Sequence, residues 1–406
     1  MPRAGWVKPE TDQRLSDHIS LGVLTRVFPP DLVDQVVADS GKTEVRHRLL
    51  PARVVVYYVL ALALFSQASY EEVMRNLVEG LSWSTGWARS WRMPSKVALS
   101  KARARLGPEP LQAMFEAVAA PLATQTTKGA FFRGWRLMAI DGTCVDLADT
   151  LHNDAAFGRP ATGRGQGVGA FPQVRMVGLA ECGTHALVDV VVGPLRDGEK
   201  TLAATVLRSL RPGMLLAADR AFFSFELWQQ AAQTGADLLW RAKSNQDLAV
   251  EEVLEDGSYL SRVYEIVNFH RRGKGIPVRV IVYTIDDPGR PQAEAQYRLL
   301  TTILDPEAAP ADELARLYDQ RWEFESLLDE LKTHQRGARV VLRSKLPGGV
   351  LQELYGMLCV HYAIRWLMHT VALEMDEDPD RMSFIHALRV ARRTTASYPG
   401  FSPSDS

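Results

Sequence analysis

Residues 137–142 read Leu-Met-Ala-Ile-Asp-Gly, and residues 214–220 read Met-Leu-Leu-Ala-Ala-Asp-Arg. Each begins as a short unbroken apolar run, the pattern of a strand buried on both faces, and each run ends on an aspartate. Between them lie two more strand-like runs, 174–180 and 186–192, and a helical run, 199–210, that starts after Asp197-Gly198. Ser224 opens another helix that ends near Thr234, and 237–242 is the next strand.

The order strand, strand, strand, helix, strand, helix, strand predicts an α/β fold with a ribonuclease-H-like catalytic core, a mixed sheet whose first three strands are antiparallel. In that topology the first and fourth strands are neighbours. Asp141 and Asp219 then meet at adjacent carboxyl ends, where α/β sheets place their sites.

Working outward, the 406 residues are enough for two or three packed units, and 46% hydrophobic with 23% charged residues is the composition of a folded globular chain. A formal net charge of -1 means that any contact with nucleic acid must come from local basic patches. Three cysteines, Cys144, Cys182 and Cys359, form no CxxC pair and are too few for a disulfide framework, which suits a reducing cytoplasm, with the nucleoid as the place of work if DNA is bound. The longest apolar run, 54–65, is too short for a membrane helix and reads as a buried one. The N-terminus has no secretory pattern.

Residues 15–122 show helical spacing throughout. Within them, 87–107 carries Arg89, Arg92, Lys96, Lys101, Arg103 and Arg105 with no acid, and Pro94-Ser95 marks a helix start. Following the amphipathic segment 69–77, this basic helix reads either as part of a helix-turn-helix that contacts DNA or as a solvated face of a bundle. A glycine-rich loop, 149–173, holds Arg159 and Arg164 and is expected to be mobile without ligand. From 245 to 306 the helical pattern stops, and strands at 278–284 and 297–303 are interrupted by Arg271-Arg272-Gly273-Lys274-Gly275 and Asp287-Pro288-Gly289. Helices follow at 311–334 and 350–374. The tail after Asp380 is basic at Arg389, Arg392 and Arg393 and should fray at its end. The expected division is 1–130 (helical, DNA-binding), 131–245 (core, first part), 246–306 (β-rich insertion), 307–375 (core, final helices) and 376–406 (basic tail).

Paired aspartates on strand ends suit phosphodiester chemistry, in which two magnesium ions about 4 Å apart neutralise charge on the attacking and leaving oxygens. Magnesium takes hard oxygen ligands and keeps water in its shell, so a few carboxylates suffice. A third is expected from the helix after the insertion. On that helix Arg321, Glu325 and Lys332 follow Tyr318 at roughly 300°, 340° and 320°, one narrow stripe. Glu325 there suits a metal, Arg321 and Lys332 suit phosphate, and Tyr318 is a hydrogen-bond donor. The plainer reading is an exposed helix with a pair such as Arg321 with Glu325. Asp329, at roughly 20°, shares the stripe, so geometry alone does not choose between it and Glu325. Asp146, Asp149 and Asp154 read as loop residues beyond the strand.

The spacing Tyr318, Arg321, Glu325, Lys332 resembles the Tyr-(2)-Arg-(3)-Glu-(6)-Lys pattern of the insertion sequence 4 family of DDE transposases at all four positions. Asp219-Arg220-Ala221-Phe222 resembles that family's second-aspartate motif and Ile140-Asp141-Gly142-Thr143 its first. A β-rich insertion stands between the second aspartate and the glutamate, as in the family. The resemblance selects Glu325 over Asp329 and implies Asp141, Asp219 and Glu325 as ligands of catalytic Mg2+, with Mn2+ able to substitute. It adds Arg220 to the DNA-binding residues, and the basic stretch Arg89–Arg105 is expected to contact end DNA through Lys101, Arg103 and Arg105. It further implies binding of terminal inverted repeats, a homodimer that pairs two DNA ends, and cut-and-paste transposition on target DNA. In relatives excision can pass through a hairpin, which needs an aromatic to stack a flipped base. Tyr297 is the candidate, in a place where the family more often has tryptophan, and its other reading is a strand core residue. Two rival functions are a nuclease or resolvase without strand transfer, and a non-catalytic DNA-binding protein derived from a transposase.

Overall fold

In the computed structural model, which describes residues 22–45, 50–85, 93–161, 169–268, 271–284, 296–318, 322–338 and 340–394, six described helices precede the first strand. They are α1 (Gly22–Val27), α2 (Pro30–Asp39), α3 (Ala52–Leu64), α4 (Tyr70–Thr85), α5 (Lys96–Leu106) and α6 (Glu109–Val118). Then come β1 (Phe131–Phe132), β2 (Trp135–Asp146), α7 (Leu151–Phe157), β3 (Gln173–Glu181), β4 (Ala186–Pro194), α8 (Glu199–Val206), β5 (Met214–Ala218), α9 (Phe225–Gln233) and β6 (Asp237–Arg241). The chain continues through β7 (Glu252–Val253), β8 (Tyr259–Asn268), β9 (Arg271–Tyr283), β10 (Tyr297–Thr301), α10 (Ala311–Tyr318), α11 (Trp322–Asp329), α12 (Pro347–Glu374) and α13 (Phe384–Thr394).

These elements form two compact units. One draws on residues up to 122, on 145–174 and on those from 328, and the other on 123–144 and 175–327. The chain passes from one unit to the other four times, after residues 122, 144, 174 and 327.

The first unit is helical. Every residue of α3 except Arg53 is buried, so the helix needs cover on all sides, and α12, itself buried over most of its length, supplies part of it. Gly356 of α12 allows the close approach, since a Cβ there would lie 3.0 Å from Val59. Ser95 caps α5 by accepting from the Ala98 amide at 3.3 Å, as the Pro94-Ser95 signal implied. Within the loop expected at 149–173, Thr150 caps α7, and Asp149 and Asp154 both pair with Arg159. Asp146 is not a loop residue. It ends β2 and accepts from Gln173 Nε2 at 2.8 Å. Near the C-terminus the Arg392 guanidinium donates to the carbonyls of Leu64 and Gln335, so this part of the basic tail is packed helix. Arg164 and residues 402–406 lie outside the described residues. Among the described residues no helix is long and apolar enough to cross a membrane.

The second unit is built on a 10-stranded sheet of order β4-β3-β2-β5-β6-β10-β9-β8-β7, with β1 paired to β2. Its first five positions follow the ribonuclease-H-like order. Strands β2, β5 and β6 run parallel, and Ile140 pairs with Ala218. Strand β10 pairs antiparallel with both β6 and β9, so the strands read as an insertion extend the core sheet directly. The run Arg271–Gly275, read as an interruption, is the beginning of β9 and pairs with β8. Its glycines looked like breakers, but Gly275 makes room for the Tyr264 ring, which a Cβ would approach to 2.7 Å.

Over the helix expected at 311–334, Ala311–Tyr318 and Trp322–Asp329 are helical, residues 319–321 lie outside the described residues, and Glu330–Gln335 is a π-helical segment. A π turn closes on the fifth rather than the fourth residue, so a phase counted at about 100° per residue no longer holds at Lys332. The segment begins where Glu330 turns inward to a buried ion pair with Arg365 and His361.

Candidate active site

Alternation along three strands assigns the faces of the sheet. Met138 and Ile140 of β2, Val177 and Leu179 of β3, and Met214, Leu216 and Ala218 of β5 share one core cluster with Leu202, Ala203, Leu227 and Trp228 of α8 and α9. Successive side chains point to opposite faces. Asp141, Gly178 and the residue after Ala218, which is Asp219, therefore turn to the other face.

The register supplies the second coordinate. Ile140 pairs with Ala218 in parallel, so Asp141 and Asp219 are the next residues on strands about 4.8 Å apart. Both are half-buried. Asp141 Oδ1 accepts from the Gly142 amide at 2.7 Å. Asp219 starts a tight turn in which the Phe222 amide donates to its carbonyl at 3.0 Å, and Phe222 and Phe223 plug the core behind it. Ser224 then caps α9. A paired strand on one side and an anchored turn on the other leave Asp219 little freedom.

At the end of β3, Glu181 pairs with Arg136 at the start of β2, and the Cys182 amide donates to the Leu137 carbonyl at 3.0 Å. The end of one strand beside the start of the other means antiparallel strands. Four residues back from Cys182 and four on from Leu137, Gly178 comes level with Asp141. A Cβ at Gly178 would meet the Phe324 ring at 3.3 Å, so the glycine lets α11 lie close to the sheet at this level. Glu323 fastens the helix by accepting from the Gly183 amide in the β3–β4 turn. Glu325, the residue after the buried Phe324, is exposed. Asp329 pairs with His334 at 3.1 Å.

The remaining sequence candidates fall in different places. Tyr318 is 5% exposed and its hydroxyl donates to the Ala218 carbonyl at 3.2 Å, so it ties α10 to the residue before Asp219 rather than facing solvent. Arg321 lies outside the described residues, and Lys332 is half-buried in the π-helical segment. The Tyr297 ring is buried, stacked on Tyr283 at 5.4 Å with the Arg241 guanidinium 4.5 Å from its centre. This covered ring favours the strand-core reading over a base platform. Lys101 is exposed, and Arg105 is exposed but bound to Glu44 at 3.1 Å. Arg103 is turned inward at 7% exposure and donates to Gln352, Tyr70 and Ser344, because a buried guanidinium needs its donors filled. It corrects the expectation of three solvent-facing cations on α5.

An open groove of about 510 Å³ runs beside Asp219, lined by Asp219, Arg220, Ala221, Lys243, Ser244 and Asn245. Arg298 braces its floor by donating to the carbonyls of Lys243 and Ser244 at 2.9 and 2.8 Å. Lys200 stands close by with its amine on the Phe223 carbonyl at 2.8 Å, and burial, then the Lys243 charge, pulls it below the ordinary lysine range. Sequence reasoning missed Lys243. Its signal was available, because it follows the carboxyl end of β6, and the strand-end rule applied to the two aspartates applies there too.

Two half-buried carboxylates on neighbouring strand ends repel one another unless a cation is shared between them. Their donor set is entirely oxygen, which fits a hard divalent ion. The adjacent cationic groove can take phosphate oxygens. Divalent metal, carboxylates and a phosphate groove together can hydrolyse or exchange a phosphodiester.

Comparison with known proteins yields two family matches. The family described as insertion element 4 transposase N-terminal matches residues 18–116, and the family described as transposase DDE domain matches residues 134–362. The transposase InsG for insertion sequence element IS4 of Escherichia coli (strain K12) is 28% identical over 379 residues, covering 92% of this chain and 83% of that protein. The putative transposase InsZ of the same organism is 24% identical over 251 residues, covering 62% of this chain and 80% of its own. Among solved structures, a piggyBac transposase synaptic complex with hairpin DNA covers 94% of this chain and 82% of that one, at 15% identity and a TM-score of 0.48.

Proposed function

This chain belongs to the transposase DDE domain family, and we propose that it binds the terminal inverted repeats of an insertion sequence, pairs two ends as a homodimer and moves the element by cut-and-paste. As a member of that family it is a DNA-cleaving transposase that depends on a divalent metal. Asp141, Asp219 and Glu325 are the carboxylates assigned to the metal, with Mg2+ the natural ion and Mn2+ a substitute. The observation that carries this assignment is the level placement on one sheet face of Asp141, Asp219 and the Gly178–Phe324 contact.

When bound, the metal supplies an activated water and neutralises charge on the attacking and leaving oxygens. The chain's own residues position the strand. Arg220 and Lys243 hold phosphates in the groove beside Asp219, and Arg321 and Lys332 are added from their places in the motif. Tyr318 keeps the end of β5 in register with α10. Anchored carboxylates need little rearrangement when the substrate arrives, which is where much of the rate advantage of such sites lies.

The test uses a labelled duplex carrying the element's end, with Mg2+ and a plasmid target. Nicking is expected, followed by joining of a pre-cleaved 3′-hydroxyl end to the plasmid. Cleavage with no joining would leave a nuclease instead. End binding is assigned in part to exposed Lys96 and Lys101 of α5. Replacing both with alanine should reduce the slope of log affinity against log salt by about 2, since each phosphate contact contributes about 0.9. A slope equal to wild type in a gel-shift series would remove α5 from the DNA interface.

A further inference from the structure

The π-helical segment runs into Arg336, and the backbone there is held on both sides. The Arg336 amide donates to the Leu331 carbonyl at 3.2 Å, and its own carbonyl accepts from Gln67 Nε2 at 2.7 Å. The chain then turns at Gly337, where φ is +105° and a Cβ would collide with Gln67 Nε2. Such an anchored backbone fixes where the Arg336 side chain goes. It lines a cavity of about 30 Å³ whose wall includes Val59 and Leu62 of α3, Met357 of α12, and Arg343 and Glu353, all within the helical unit.

Arg336 is 7% exposed, and among the described residues neither Nε nor Nη1 of its guanidinium has an acceptor. The charges around it are engaged elsewhere. Arg343 donates to the Ala68 carbonyl at 2.8 Å. Glu353 accepts from the Arg343 amide at 3.1 Å and from the Ser344 hydroxyl, and it pairs with Arg103 at 3.5 Å. Asp146 accepts from Gln173 and makes no bond to Arg336. Burial holds the guanidinium below the ordinary arginine range, and the Asp146 charge opposes this only in part. A buried charge without a partner is costly, and unfilled donors add to the cost.

We propose that this cavity is a site for a monovalent anion of chloride's size, held by Arg336 Nε and Nη1. The volume admits one such ion or about two waters, and it excludes a nucleotide. A water would accept from the guanidinium but leave its charge in place, and the apolar part of the wall offers nothing to the water's own hydrogens. An anion fills both donors and cancels the charge. Bound there, it ties the segment 340–343 to α3 and α12 through Arg336, at a place remote in function from the strand-end carboxylates.

The experiment is chloride NMR on the full chain, in which exchange between bulk and bound ion broadens the resonance, joined to thermal melts in chloride and in gluconate at equal ionic strength. Broadening is expected in the wild type, reversed by bromide, which has the same charge and nearly the same size, and not by the larger sulfate. Arg336→Met should lose the broadening, and Arg336→Lys, which keeps the charge, should retain part of it. Chloride should raise the wild-type Tm by roughly 2 °C over gluconate, since a ligand bound only by the folded chain stabilises it, and should leave that of Arg336→Met unchanged. No broadening in the wild type would overturn the proposal and leave water as the occupant. Broadening that persists in folded Arg336→Met would place the ion elsewhere and overturn it too. If Arg336→Met does not fold, the wild type decides: reversal by sulfate as readily as by bromide marks an open surface site and overturns the proposal, whereas reversal by bromide alone supports it.

Discussion

Glu325→Gln is expected to reduce nicking of a labelled end duplex in Mg2+ by about 1000-fold or more, equivalent to about 4 kcal/mol of barrier. The amide keeps the volume and loses the charge that a hard dication requires. Asp141→Ala and Asp219→Ala should be as severe, with end binding retained. Neither should lower stability, because carboxylates gathered for metal repel each other in its absence. Asp329→Asn is the control, since Asp329 shares the stripe but is not selected by the motif. Full nicking by Glu325→Gln together with an inactive Asp329→Asn would transfer the third ligand to Asp329.

The largest effect on stability should follow from Arg279→Met. Arg279 is fully buried, and its guanidinium donates to Ser258 Oγ, to Asp256 and to the carbonyls of Ala309 and Asp305. Asp256 also accepts from the Ala311 amide at 2.9 Å, at the start of α10. Removing the cation leaves buried Ser258 and the carbonyls of Ala309 and Asp305 without their donor, and a buried polar group left unsatisfied costs about 1–3 kcal/mol. The midpoint of urea unfolding should fall accordingly; an unchanged midpoint would show that water replaces the guanidinium without penalty. Burial works against the Asp256 charge, but hydrogen bonds from Ser258 and Ala311 and the Arg279 charge outweigh it and hold the carboxyl below the ordinary range. A depressed folded-state pKa contributes stability that is full above the unfolded value, about 3.9, and is lost as pH falls through the lower folded value. The difference between Arg279→Met and wild type should therefore narrow in acid.

Much of the fold was legible because its central strands are short and apolar and end on polar residues. Strand β5 matches the run 214–218 at both ends, and Ser224 caps α9 where its position suggested. The adjacency of Asp141 and Asp219 followed from topology, and the register makes it specific. What was not legible depends on tertiary partners. Nothing local marks Arg103 as buried, since its place is decided by Gln352 and Ser344, well over two hundred residues away in the chain. The π-helical segment at Glu330 likewise reflects Arg365 and His361 rather than helix propensity.

The pairing of β10 with both β6 and β9 bears on how this transposase can be trimmed or recombined. Excising 252–301 would leave β6, whose Leu238, Leu239 and Trp240 are buried, with one flank of unpaired amides and carbonyls. An apolar edge strand of that kind recruits other chains and aggregates. The segment thus behaves as the seal on an otherwise open sheet, and a shortened protein would need a charged or proline-bearing replacement strand there to stay monodisperse.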